Sequence, residues 1–573
     1  MEHEKEEARL NLATTTAGRP SARSDGYLAD MAVLLFGGFA FLVTVILWFD
    51  NAQGGQTGNG VFKSIELRDW VVDPARAPLY PANYFYYPVY GLGCRLLDLI
   101  GVFAGDPRRQ MTILNAAGAS ICLTIVYLLA RRITGDRVIA LATALFHIAC
   151  SDVLVLAVIN EDIMTSYTVM FAAMALAGAW FARPTAWRVV AVSVLFTIGW
   201  LFEWRLMFPT LPAMAVALWL CEGRAARRVA WILLFLATMV AVAAITAWLT
   251  RHHVGAADTW GLIWTGKAVD SAWAGFTWMK GYYLADGVSA YLFGTRIAEM
   301  PGIPGWDLWR FTSIGCELAL AASALTLLWR ARDDRMSWSL FAVFGGTLVA
   351  GQVFNLYSQP HDPQMQINVM AWMTVGWALV LVAARRRWGA RGLAAMVGLS
   401  AALLAHNVWC LAPLRGEDGK WQAAIARLAR NADPAHTVFL MHDFDWASTY
   451  AAASWGSSEP VIDTLKPSPQ AVPKFKRIGF AGGILLHHAR GEAEQTAALH
   501  EQIDHAMDLG YDVVAVRLWD IDLSFLDRLT GSIAAPSVVN AMIDMLHRDY
   551  IASEIMDDPL LGKVYRLRRS AAR

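Results

Sequence analysis

The chain has 573 residues, 56% of them apolar and only 17% charged, and its formal net charge is zero. Soluble domains carry about a quarter charged residues, so this balance excludes an ordinary soluble protein. With no basic excess, there is no electrostatic reason to bind nucleic acid.

Residues 1–30 are polar and mixed in charge. They lack a basic segment followed by a short apolar stretch and a small-residue cleavage site. No signal peptide is expected to be removed, and they read as a cytoplasmic segment ahead of a retained anchor. The first apolar run is Met31–Phe49. Hydropathy then predicts eleven spans, roughly 31–49, 110–131, 137–158, 163–182, 188–203, 208–222, 229–250, 308–330, 338–357, 365–384 and 393–413. The basic clusters are Arg131-Arg132, Arg183 with Arg188, Arg224 with Arg227-Arg228, Arg330 with Arg332 and Arg335, and Arg385-Arg386-Arg387 with Arg391. Every one falls in an even-to-odd connection, which puts the N-terminus in the cytoplasm and the odd-to-even loops outside.

The segment 84–105 is apolar but interrupted by Arg95 and Asp98. Counting it as a span breaks the charge pattern. It is therefore expected as a helix in the outer interface, with Tyr84, Tyr86, Tyr87 and Tyr90 at headgroup level. The outer loops 50–109 and 251–307 are long, and the second is rich in Trp. The tail, 415–573, reads as an outer α/β domain. Thr437–Met441 and Val513–Leu518 are predicted as buried strands, and Trp421–Leu428 and Ala497–Met507 as amphipathic helices. The six cysteines form no C-x-x-C pair and are expected as small core residues, not as disulfides or zinc ligands.

Asp50 ends the first span, where a carboxylate at the membrane boundary is expensive and tends to be functional. Taken alone, a helix-end acid facing water also explains it. Asn160-Glu161-Asp162 occupies the short outer turn between spans three and four, where Glu161 and Asp162 suit a metal ligand or an acceptor-orienting group. A hydrated turn explains them too. Glu203-Trp204-Arg205 breaks apolar sequence on the same side. Arg205 offers a planar fork for phosphate oxygens, or a partner for Glu203. Between spans nine and ten, Pro360 and Pro363 bracket His361 and Asp362, and His361 suits a phosphate contact as well as a plain tight turn. In the Trp-rich loop, Trp264 and Lys267 suit a sugar face and a phosphate, although interfacial anchoring alone places Trp in such a loop. His442-Asp443-Phe444-Asp445 in the tail is a weak metal-like cluster, better read as a polar strand-end loop. No P-loop, GxSxG elbow or dinucleotide fingerprint occurs, so no nucleotide cofactor is expected.

This order of elements resembles the C-type glycosyltransferase superfamily, and within it the bacterial aminoarabinose and related lipid A sugar transferases and protein O-mannosyltransferases. The resemblance runs over roughly residues 30–415. It rests on Asp50 after span one, on Tyr86-Tyr87-Pro88-Val89-Tyr90 before span two and on Tyr127-Leu128-Leu129-Ala130-Arg131-Arg132 at its inner end. Asp162 at span four, Glu203-Trp204-Arg205 before span six and the turn His361–Gln366 complete it. Asn51 stands where the family often has Glu, and Gln364-Met365 where it often has Arg-Tyr.

The resemblance implies a polytopic helical membrane enzyme with a GT-C-like catalytic module over 31–414 and a periplasmic α/β domain over 415–573, in a bacterial inner membrane. It implies transfer of a sugar from a polyprenyl-phosphate donor to a lipid, glycan or protein acceptor, with inversion. Asp50 would be the base, and Glu161 and Asp162 would orient the acceptor or hold a divalent cation. Arg205, Lys267 and His361 would bind the donor phosphate, and Tyr86, Tyr87, Tyr90 and Trp264 would contact sugar or lipid. A transporter or flippase, and a non-catalytic assembly factor or sensor, are the alternatives. The clustering of charge at one surface disfavours the first, and an intact glycoconjugate after deletion would mark the second.

Overall fold

A computed structural model describes residues 27–52, 59–74, 84–251, 284, 292–294, 314–323, 325–326, 335–357, 367–441, 446–455, 476–479, 492–520 and 536–570. The membrane part contains α1 (Tyr27–Phe49), α2 (Asn59–Val72), α3 (Tyr86–Leu99), α4 (Pro107–Thr134), α5 (Arg137–Ala149), α6 (Ser151–Val158) and α7 (Ile163–Trp180). It continues with α8 (Ala186–Phe202), the single turn α9 (Trp204–Met207), α10 (Thr210–Trp219) and α11 (Ala225–Thr250). Beyond these lie α12 (Ile314–Ser323), α13 (Ser337–Leu356) and α14 (Asn368–Cys410).

Local sequence sets these boundaries. At the start of α4, Asp106 caps the helix by accepting from the Arg109 N–H, and Pro107 takes the first position, where no N–H is needed. Gly135 ends α4 at φ 68°, a left-handed conformation that suits glycine. Asp136 then caps α5 through the N–H groups of Val138 and Ile139.

Six of the described helices are long and apolar enough to cross a membrane, or seven if the bent pair α5–α6 counts as one span. Each of the eleven predicted spans contains described helix, but the count differs in three places. The segment predicted as span three is α5 and α6, bent by 69° at Cys150. The break frees the Ala149 carbonyl, which is satisfied by Asn407 in α14, a residue that also binds the segment 292–294. Its Nδ2 donates to Ala149 O at 2.6 Å and to Leu292 O at 2.7 Å, and its Oδ1 accepts from Gly294 N at 2.9 Å. At spans five and six, α8 has 17 residues and α10 only 10, because Glu203 and Pro209 interrupt the helical run. The segments predicted as spans ten and eleven run together as α14, broken only at Gly389 (φ 62°, ψ −147°).

About half of the bundle core comes from α4, α6, α7 and α14, with small and aromatic side chains such as Ala116, Ala173, Tyr167 and Trp372 interleaved. One end of the bundle carries Arg137 against Asp30 (2.5 Å) and Arg385 against Asp136. The opposite end carries the Asp50 and Asn160 turns.

The tail is a three-layer α/β unit. Its sheet runs in the order β2 (Lys476–Gly479), β1 (Thr437–Met441), β3 (Asp512–Val516), β5 (Gly562–Arg569), β4 (Tyr550–Asp558). The first three strands are parallel, and β5 and β4 are antiparallel. Alternation along β1 divides the core. Phe439 and Met441 pack with α15 (Glu417–Asn431) and α16 (Trp446–Trp455), while Val438 and Leu440 pack with α17 (Glu492–Asp508) and α18 (Pro536–Asp549). The strand predicted over Thr437–Met441 is β1, that over Val513–Leu518 overlaps β3, and the two predicted helices are α15 and α17. The six cysteines are unpaired, and all but Cys316 are buried.

Candidate functional site

Asp50 caps α1 in a left-handed conformation (φ 47°), with its N–H still donating to Ile46 O at 3.0 Å. Aspartate is among the few residues that tolerate this region. The side chain is half-exposed, and its Oδ1 accepts from Arg109 Nη2 at 2.6 Å. A hollow of about 40 Å3 opens beside it, lined by Asp50, Ala52, Phe103, Arg109, Thr112 and Val158 among others. That volume holds roughly one water.

The turn after Asp50 touches the second acidic turn directly, because Asn160 N–H donates to Ala52 O at 2.7 Å. Asn115 in α4 fixes the backbone there, donating through Nδ2 to Ile159 O at 2.7 Å and Glu161 O at 2.6 Å. Glu161 and Asp162 are each about 1% exposed. Two adjacent buried carboxylates need cations. Lys63 of α2 supplies one, its ammonium against Asp162 Oδ2. Burial alone would push the Lys63 pKa down, but Asp162 and Glu161 outweigh it and the net shift is upward. Arg205 is close enough to Lys63 to repel it electrostatically. Its own guanidinium grips Glu203 with two bonds, Nε to Oε1 at 2.7 Å and Nη2 to Oε2 at 2.8 Å. Glu203 also caps α9 by accepting from Arg205 N at 3.1 Å.

Glu161, Asp162 and Arg205, singled out from sequence, thus meet in one buried cluster with Lys63 and Glu203. Asp50 lies in the adjoining turn, and its carboxylate engages Arg109 rather than this cluster. Tyr86 and Tyr90 wall the cluster. Their rings stack at 4.2 Å, and the Lys63 ammonium lies 6.0 Å from the Tyr86 ring. Burial, then Tyr90 and Asp162, push the Tyr86 hydroxyl far above its ordinary pKa. Tyr90 Oη donates to Asn115 Oδ1 at 2.5 Å.

The expected headgroup position of the tyrosines is corrected here. Tyr84, Tyr86, Tyr87 and Tyr90 are at most 3% exposed and pack against Trp70, Met111 and Leu201 inside the protein. The exposed face of α3 carries Val89, Leu92, Leu96 and Leu99 instead. Gly91 shares their inward face and admits α2 closely. A Cβ there would lie 2.9 Å from Trp70 Cβ.

Trp264, Lys267 and His361 lie outside the described residues, as does the tail cluster His442–Asp445. A divalent cation at Glu161 and Asp162 does not fit the described donors. Lys63 already occupies Asp162, and no group of three or more His, Cys, Asp or Glu able to hold a metal occurs among the described residues.

Sequence reasoning missed Lys63, Asn115 and Arg109 as parts of the site, and named Glu203 only as a partner for Arg205, the pairing found here. Lys63 sits in a short mixed helix inside a polar loop, with no motif to mark it. The signal available was the need for a cation to neutralise Glu161 and Asp162 once their turn is buried.

No protein-family model matches the sequence, and no curated protein matches it. Solved structures do. The crystal structure of ArnT from Cupriavidus metallidurans in the apo state matches with a TM-score of 0.53 at 13% identity, covering 95% of this chain and 98% of that one. The same protein bound to undecaprenyl phosphate matches with a TM-score of 0.52 at 13% identity, covering 96% and 99%. Over nearly its whole length, bundle and tail together, this chain has the fold of those ArnT structures.

Proposed function

We propose that this chain is a membrane glycosyltransferase that moves a sugar from a polyprenyl-phosphate carrier to an acceptor hydroxyl at the outer face of a bacterial inner membrane. One observation carries the reading. The end-to-end fold match includes a structure holding undecaprenyl phosphate. The buried cluster of Lys63, Glu161, Asp162, Glu203 and Arg205 beside the Asp50 turn supports it, since such charge is costly at a membrane boundary.

In this reading the acceptor oxygen attacks the anomeric carbon from the face opposite the phosphate. Its proton passes to the Asp50 carboxylate, the bond from anomeric carbon to phosphate oxygen breaks, and the electron pair leaves with polyprenyl phosphate. The sugar configuration inverts. Lys63 and Arg205 stabilise the charge growing on the leaving phosphate, with Lys267 and His361 as further contacts. Glu161 and Asp162 hold Lys63 in place and orient the acceptor. Tyr86, Tyr87 and Tyr90 form a rigid wall, and Trp264 offers a sugar-stacking face.

The test is the purified protein in liposomes, supplied with a panel of polyprenyl-phosphate sugars, together with mass spectrometry of lipid A, surface polysaccharide and glycoproteins from a deletion strain. Loss of one sugar modification, restored by the gene, is expected. An unchanged glycoconjugate profile, with no release of polyprenyl phosphate in the liposomes, rules the proposal out.

A further inference from the structure

The soluble domain reaches back to the Asp50 turn through a set of hydrogen bonds. Asp418, in the first turn of α15, is 2% exposed, and its Oδ2 accepts from Ala52 N–H at 3.0 Å. Asn51 Nδ2 donates to Leu414 O at 2.8 Å, and Gly416 N–H donates to Phe49 O at 3.0 Å. Residues 49, 51 and 52 are thus each bonded to the connection 414–418. Asp50 between them holds a left-handed conformation that costs a residue with a Cβ free energy, and that persists where the surroundings over-determine it.

The same region closes a circuit of charge. Consecutive arginines at the start of α4 split between the two acids. Arg109 bonds Asp50, and Arg108 Nη1 lies 3.8 Å from Asp418 Oδ2. The Arg108 guanidinium also sits 5.8 Å from the centre of the Tyr450 ring, and the Tyr450 hydroxyl donates to Asp418 Oδ1. Tyr450 belongs to α16, so the circuit runs from the membrane helix, through the turn, into the core of the α/β unit.

We propose that Asp418 is a positioning residue: it tethers the turn carrying Asp50 to the soluble domain, which thereby holds the reacting acid beside the buried charge cluster. The inference rests on the reading of Asp50 as the acid that takes the acceptor proton. It gives the α/β domain a task in the reaction, where a passive appendage would leave turnover unchanged.

The experiment pairs hydrogen–deuterium exchange over residues 46–52 with sugar-transfer kinetics, both on the full chain in nanodiscs. Asp418→Ala is expected to speed exchange at Asn51 and Ala52 by about tenfold or more. It should lower kcat by about tenfold or more, with the donor KM within about threefold, because a small displacement of a reacting group harms turnover more than binding. Asp418→Asn keeps an acceptor oxygen for Ala52 N–H and is expected to recover both readouts. Tyr450→Phe removes only the hydroxyl donor and should leave exchange at the turn as in the wild type. Asn51→Ala cuts the second tether and should repeat the Asp418→Ala pattern, so it decides the matter if Asp418→Ala fails to accumulate. Unchanged exchange in Asp418→Ala and Asn51→Ala, or faster exchange with wild-type kcat, overturns the proposal. A wild-type protein inactive with every lipid-linked sugar overturns the transferase reading instead, and the exchange readout still decides the tether.

Discussion

Arg109 Nη2 donates to Asp50 Oδ1 at 2.6 Å, with the two side chains 38% and 53% exposed. A pair this open to solvent contributes only about 0–1 kcal/mol, so it orients the carboxylate without locking it. In the proposed reaction an incoming acceptor displaces the guanidinium and meets a carboxylate that lines the hollow.

Asp50→Asn is therefore expected to lower kcat by about a hundredfold or more, the scale of a lost general base. Donor binding should persist, as read by quenching of tryptophan fluorescence on adding a polyprenyl phosphate. Arg109→Ala should leave stability within about 1 kcal/mol and reduce kcat more modestly. Turnover near the wild-type level in Asp50→Asn would remove Asp50 from the mechanism.

The Lys63–Asp162 pair differs, because Asp162 is buried and Lys63 is largely shielded, at 1% and 13% exposure. Lys63→Met leaves a carboxylate without its counter-charge and is expected to destabilise the protein by about 3–5 kcal/mol. Adding Asp162→Asn should return much of that stability while activity stays absent, since the phosphate still lacks its cation. A thermal-shift double-mutant cycle with parallel transfer assays reads both. A double variant as unstable as Lys63→Met would show that the pair is not the coupled unit described here.

The helical bundle and its two-ended charge pattern were legible in the sequence because apolar length and basic clusters are one-dimensional signals. Asp162 and Arg205 were legible as candidates because they interrupt apolar sequence. Lys63 was not, since its meaning comes only from a contact with a helix distant in the chain. The tyrosines of α3 were placed at the bilayer surface because a Tyr-rich interfacial helix has the same composition as one that turns its rings inward. Gly91 lies on that inward face, where the missing side chain leaves room for Trp70.

Gly91→Val follows from this. A branched side chain would meet Trp70 Cβ, an atom held close to its backbone, so α2 must move away. Overpacking of this kind costs about 1–3 kcal/mol. Because α2 carries Lys63, transfer should fall more than stability does. Gly91→Ala should show the same ordering in milder form, measured by melting temperature against kcat.

The tail provides a pH test. The Asp558 carboxyl is buried and accepts from Arg427 Nε at 2.6 Å and from the N–H groups of Leu560 and Leu561 at 2.9 and 3.2 Å. Burial opposes ionisation, but these bonds outweigh it and hold the carboxyl below its ordinary value of 3.8. A lowered acid stabilises the fold fully above the unfolded value and loses that contribution as pH falls through the folded one. Asp558→Asn should cost about 1–2 kcal/mol near neutral pH, a modest figure because Arg427 is 39% exposed. The difference should shrink once pH falls below the ordinary value of 3.8 and vanish only after it has passed through the lower folded value, where both proteins carry a neutral group. Exchange protection of the β4–β5 hairpin against pH reports it.

The stitch made by Asn407 also constrains the order in which this protein is built. The bend at Cys150 exposes the Ala149 carbonyl early in the chain, but the amide that satisfies it sits in the last membrane helix. Inside lipid an unmatched carbonyl is expensive. The kinked third segment can settle only after the ribosome has delivered the final one, so a nascent chain halted before Asn407 should be recognised and degraded by membrane proteases, and pulse-chase of such truncations would record it. A bundle whose earliest kink waits for its latest helix matures after synthesis, as a whole.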